Sequence, residues 1–186
     1  ATMKKQHKLV YWIIFSVVLM SMLACSLTGG SEPEPVATPK PSSLSQWASS
    51  ASASSEYGEA YWSARQVIGA PDTPECGDYT TAWASEYYDG LDWLEVGFTT
   101  PVEPTQIQIF ETYNPSSIVK VEIRDLDGLY HTVYETTPAI IESCPSTLII
   151  DLEDIGYKVD AVLITLDQSV LMEWNEIDAV QLTGKP

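Results

Sequence analysis

The segment 118–135, IVKVEIRDLDGLYHTVYE, restricts the fold more than any other. Val119, Val121 and Ile123 alternate with Lys120, Glu122 and Arg124. A period of two places one strand face on a core and the other in water. Asp127-Gly128 is a hairpin-type turn signal, and the strand pattern resumes over 129–135. A hairpin with one apolar face cannot bury that face alone and needs a second layer. Neighbouring segments supply it. Residues 91–98 and 105–113 read as strands, 147–152 and 159–167 as near-continuous apolar strands, and 176–183 as a closing strand. The small-residue run 44–55 reads as an irregular first strand. Only 61–68 and 153–157 have helical character. Many short strands joined by turns predict an all-β, antiparallel two-sheet sandwich.

The first 43 residues have a different character. Lys4, Lys5 and Lys8 precede a 15-residue apolar run, 9–23. That is short for a membrane-spanning helix, which needs about 20 residues, and it predicts a secretory signal over 1–25. Ala24-Cys25, ending the apolar run, resembles the lipobox of bacterial lipoproteins, with Met22 and Leu23 departing from the commonest residues. The resemblance implies cleavage before Cys25, lipidation of that cysteine, and a membrane-anchored, extracytoplasmic protein at the cell surface or in the periplasm. An uncleaved anchor helix is the open alternative. Residues 26–43 hold Pro33, Pro35, Pro39 and Pro41 among Ser, Thr and Gly. So little apolar surface cannot offset the entropy of ordering, and a flexible linker is expected. The folded head then spans 44–186.

The formal net charge is −17. A chain cut before Cys25 keeps six of the nine basic residues and all 26 acidic ones, a net −20. Such a surface repels nucleic-acid phosphates, so nucleic acid is not an expected partner. With Cys25 lipidated, Cys76 and Cys144 remain, and an oxidising compartment predicts a disulfide between them; two free thiols are the alternative. The bridge would close a 68-residue separation, for which chain entropy gives at most about 4 kcal/mol. His7 lies in the signal, His131 stands alone and no C-x-x-C occurs, so a zinc site is not expected. No nucleophile, histidine and acid arrangement is readable, and no enzyme activity is expected.

The run 77–85, GDYTTAWAS, is similar to the G-D-x-x-T-x-W-x-S signature of discoidin or coagulation-factor C-type, galactose-binding-like domains. Residues 93–98 (WLEVGF), the Asp127-Gly128 hairpin with Tyr130 and Val133, and Asn175-Glu176-Ile177-Asp178 with Gly184 resemble later motifs of the same family, in the same order. The fuller runs WSARQVIGAPDTPECGDYTTAWAS and ETYNPSSIVKVEIRDLDG resemble a pappalysin-associated subgroup. Together they cover nearly the whole head and imply a jelly-roll sandwich. One departure stands out: Cys76 occupies the place of the first aspartate in the family's D-G-D.

Two kinds of site follow. Calcium takes six to eight oxygen ligands in a bent loop. Asp72, Asp78 and Thr81 lie in such a loop, with carbonyls exposed by Pro71, Pro74 and Gly77. The resemblance adds Glu176 and makes the ion structural. The alternative is that the aspartates hold Asx turns. For a glycan, flat aromatic faces with polar neighbours are needed. Tyr57, Tyr87, Tyr88 and Tyr113 are the loop candidates, with Asp89 and Arg65 as polar partners, and 87–90 is the first choice. Each tyrosine is otherwise a half-buried rim residue. Trp62, Trp83, Trp93 and Trp174 are expected in the core. The function expected is a non-catalytic, membrane-tethered recognition module for a glycan. The alternative is a scaffold domain that binds a cell-surface protein.

Overall fold

The computed structural model describes residues 43–169 and 171–186. The expected signal, Cys25 and linker lie outside the described residues. Among the described residues no helix is long and apolar enough to cross a membrane.

Eight antiparallel strands form the head: β1 Leu44–Trp47, β2 Ser50–Ala53, β3 Leu91–Tyr113, β4 Ile118–Asp125, β5 Tyr130–Glu135, β6 Ser146–Asp151, β7 Val159–Asp167 and β8 Glu176–Lys185. One sheet has the order β1-β8-β3-β6, the other β5-β4-β7-β3-β2. The long strand β3 serves both. Its first half pairs with β2 and β7, its second with β8 and β6.

The two strands expected at 91–98 and 105–113 are therefore one. Pro101 lies where the register with β7 shifts, between Gly97 and Val102, and Pro104 precedes a second shift, at Gln106 against β8. Prolines are tolerated in strands at such irregularities. The second shift also reverses the phase of burial. Leu94, Val96, Phe98 and Val102 point inward before it, Ile107 and Ile109 after it. A one-residue bulge thus lets a single strand face the core from both sheets.

The expected first strand, 44–55, divides for a related reason. β1 pairs with β8 in one sheet, and β2 pairs with β3 in the other. The helical turn expected at 61–68 is a short 3₁₀ helix, Ala64–Val67. No helix forms at 153–157. Asp154 adopts φ 55°, a left-handed conformation that interrupts a right-handed helix.

The core lies between the sheets. Leu94, Val96, Ile107, Ile109, Val121, Ile123, Ile164, Leu166, Ile177 and Leu182 are all fully buried. At Gly184 the strands approach so closely that a Cβ would stand 2.3 Å from the Glu103 carbonyl oxygen. Of the tryptophans expected inside, Trp83 alone is fully buried. Trp93 is 40% exposed, because it has the opposite phase to Leu94 and Val96 on β3. Trp62 and Trp174 are half-buried and face a surface cavity.

Candidate functional site

The loop 69–85 is laid across the end of β8 and fastened at several points. Trp83 and Ile177 exchange backbone hydrogen bonds, Trp83 N–H to Ile177 O at 2.8 Å and Ile177 N–H to Trp83 O at 3.1 Å. The Gly77 N–H donates to Thr112 O at 2.9 Å. A disulfide joins Cys76 to Cys144, with the Cα atoms 5.2 Å apart, and ties the loop to the chain before β6. Trp62 is clamped to the loop on both sides, its N–H donating to Thr80 O and its carbonyl accepting from Ala84 N–H.

These fastenings build a cavity of about 100 Å³, lined by Tyr57, Trp62, Asp78, Ala84, Tyr113, Trp174 and Glu176. The aromatic rings support one another edge to face: Tyr57 on Trp62 with centroids 5.3 Å apart, Tyr57 on Trp174 at 5.5 Å and Tyr88 on Trp174 at 4.6 Å. Such contacts fix ring orientation as well as adding stability. Two residues beside the cavity have left-handed backbones, Trp62 with φ 52° and Asn114 with φ 41°. Each costs roughly 1–3 kcal/mol and persists only where surrounding contacts enforce it. The Asn114 side chain repays part of this by donating to the Trp174 carbonyl at 3.2 Å.

Asp78 and Glu176 form the polar wall. The Trp62 indole N–H donates to Asp78 Oδ1 at 2.8 Å, and the Tyr79 N–H donates to Glu176 Oε2 at 3.1 Å. Glu176 is only 2% exposed. Burial pushes its carboxyl up to about 8; the neighbouring Asp78 pushes in the same direction, while the Tyr79 N–H and Trp62 oppose it. Behind this wall runs a buried polar chain. Asn175 donates to Glu111 Oε2 at 2.9 Å and to the carbonyls of Tyr113 and Asn114. Gln168 Oε1 accepts from the Asn175 N–H, and its amide bonds Ser85 Oγ. Burial raises the Glu111 carboxyl to about 7, with the Asn175 hydrogen bond opposing.

The expected site residues separate. Tyr57, Tyr113, Asp78 and Glu176 meet in the cavity, and Tyr88 supports Trp174 from outside it. Tyr87 is 63% exposed and does not line the cavity; Glu86, through a hydrogen bond and its charge, raises its hydroxyl pKa. Asp89 is exposed and also outside the lining. Arg65 lines a separate surface hollow with Glu59, Ala60, Ser63 and Gln66. Trp62 and Trp174 are expected in the core, yet both line the cavity. Their signal was present: both lie outside the alternating strand runs, where a bulky ring has no fixed inward phase.

The four expected calcium ligands fall into two groups. Asp78 and Glu176 face the cavity. Thr81 Oγ1 instead lies 2.6 Å from Thr73 Oγ1, and Thr73 Oγ1 approaches Asp72 Oδ1. Asp178, not Glu176, holds that part of the loop, accepting from the Asp72 and Thr73 N–H groups at 3.4 and 3.2 Å. Burial raises its carboxyl, and those two N–H groups oppose the shift. Among the described residues no group of three or more His, Cys, Asp or Glu side chains is placed to hold a metal. As they stand, the side chains do not fit a calcium shell.

Comparison with known proteins decides the family. The model for the pappalysin-1 SD scarf domain, C-terminal, matches residues 38–186. The chain belongs to this scarf-domain family. Among curated proteins no relative matches. Solved structures share the scarf domain's fold at low identity. Chitosan-binding module 1 of a Paenibacillus sp. IK-5 chitosanase/glucanase is 17% identical with a TM-score of 0.54, over 72% of this chain and 93% of that one. The family 32 carbohydrate-binding module of C. perfringens NanJ, solved with galactose, is 18% identical with a TM-score of 0.51, over 75% and 99%. XRCC1 bound to the DNA polymerase β catalytic domain is 15% identical with a TM-score of 0.55, over 73% and 94%. The scarf domain is thus a galactose-binding-like β-sandwich, as the sequence motifs imply.

Proposed function

We propose that the head is a non-catalytic glycan-binding module, held outside the cytoplasm through a lipidated Cys25, with its sugar in the cavity between Trp62 and Trp174. The single observation that carries this reading is the cavity: four aromatic rings and two carboxyl groups converge on it. Sugar rings pack their C–H faces on aromatic rings, while a few polar groups set orientation. The neighbours named for chitosan and galactose share the fold and support the class. Tethering rests on the sequence pattern of 1–25.

A second reading, protein recognition without sugar, draws on the neighbour solved with a polymerase domain. A glycan array probed with the purified protein separates the two. The glycan reading expects binding to a restricted set of sugars that Trp62→Ala and Trp174→Ala abolish. Capture of a protein partner with no glycan signal contradicts it.

A further inference from the structure

Resting on the glycan reading, we infer that the sugar taken by this cavity carries a free, protonated amine, so that the site selects an unacetylated amino sugar over neutral, N-acetylated or acidic ones. The cavity offers a ligand few free donors. Its lining includes no basic residue. Both indole N–H donors are already used, Trp62 on Asp78 Oδ1 at 2.8 Å and Trp174 on the Ser85 carbonyl at 3.0 Å. The Tyr79 N–H is spent on Glu176 Oε2. What remains is dominated by acceptors, the carboxyl groups of Asp78 and Glu176, surrounded by aromatic faces. The tyrosine hydroxyls and the Glu176 carboxyl, raised to about 8, are the remaining side-chain donors.

An ammonium group answers each feature at once. It brings three N–H donors and no acceptor to a wall of acceptors. Its charge meets the Asp78 carboxylate, beside the Glu176 carboxyl, and the rings of Tyr57, Trp62, Tyr113 and Trp174, residue types suited to cation–π attraction. An acetylated amine loses the charge and adds a carbonyl acceptor for which the indoles have no N–H to spare. A uronic or sialic acid places like charge against Asp78. Cavity size agrees: about 100 Å³ admits one edge of one sugar, with the remainder of an oligomer outside.

Isothermal titration of the purified full chain with glucosamine tetramer and with N-acetylglucosamine tetramer tests this. The expected result is at least about tenfold tighter binding of the glucosamine tetramer. Asp78→Asn should remove most of that preference and Glu176→Gln a smaller part, because the buried Glu176 carboxyl, raised to about 8, must give up its proton to pair with the amine. Glu153→Gln, an exposed change outside the cavity lining, should leave it, because unspecific attraction to an acidic surface would fall equally in all three. Equal or reversed preference in the unaltered protein overturns the inference, as does an equal loss in Glu153→Gln. Since the unaltered protein carries the main readout, poor folding of a variant does not rescue it. Binding of neutral sugars on the array without amine preference leaves the glycan reading standing and removes only this inference. No binding to either tetramer or to any array sugar removes both.

Discussion

The β4–β7 pairing and the 69–85 loop lie in the same domain and are held by different physics. β4 and β7 lie side by side and bury Val121, Ile123, Val162, Ile164 and Leu166 completely. Each inward residue is one of many interchangeable apolar contacts, and the alternation alone specifies the face. The loop buries little that is apolar beyond Trp83. A disulfide, a two-bond bridge to β8, two hydrogen bonds to Asp178 and one each to Glu176 and Thr112 hold it instead. The first region is stable because of its pattern. The second is specific because of its individual residues, and the cavity opens there.

Removing one contact from each region sharpens the contrast. Ile164→Ala should cost the most stability, about 2–5 kcal/mol in denaturant unfolding, since it empties a fully buried site. A cost below ~1 kcal/mol would show that the sheet interface is loosely packed. Next comes the loop. Replacing Cys76 and Cys144 together by serine should cost roughly 2–4 kcal/mol and weaken ligand binding as well, whereas Ile164→Ala should spare the affinity of the molecules that remain folded. Equal effects of both changes on affinity would erase the distinction.

How legible each region was follows from the same contrast. β7 matches its expected bounds, and β4 and β5 fall within a residue of theirs, because period-two alternation and the Asp127-Gly128 turn act locally. The Asp125 N–H to Leu129 O hydrogen bond, 2.9 Å, closes that hairpin as expected. The passage of β3 through Pro101 and Pro104 was hidden, because the bulges that accommodate them arise only from pairing with β7 and β8. The Cys76–Cys144 bridge was readable from the cysteine count and the expected compartment. The cavity was half readable. Tyr57 and Tyr113 are glycan candidates and Asp78 and Glu176 calcium candidates in the sequence, and only the fold brings them together. Trp62 and Trp174 escape because composition cannot tell a core ring from one held at a surface by a left-handed backbone, as Trp62 is, or by edge-to-face ring contacts, as Trp174 is.

A smaller effect should appear with pH. Glu176 and Glu111 have carboxyls raised by burial to about 8 and about 7, against 4.5 ordinarily. The folded state therefore binds their protons more tightly than the unfolded chain. Their contribution is present below about pH 4.5 and is lost as pH rises through 7 and 8. Thermal melts should fall between pH 5 and pH 8.5, and Glu176→Gln should flatten that slope. A stability that rises across this range would contradict the assignment. Smallest of all is the response to calcium. With the expected ligands split between two groups, adding calcium to chelator-treated protein should leave the melting temperature unchanged, and a rise of several degrees would show that they converge on an ion.

The central claim is that the tryptophan-walled cavity holds the sugar. It is tested most directly by following the indole N–H signals in a ¹⁵N NMR titration with glucosamine tetramer. Large shifts are expected for Trp62 and Trp174 and none for Trp83, which is fully buried, or Trp93 on the outer face of β3. Saturable binding that leaves the Trp62 and Trp174 signals unmoved would contradict it.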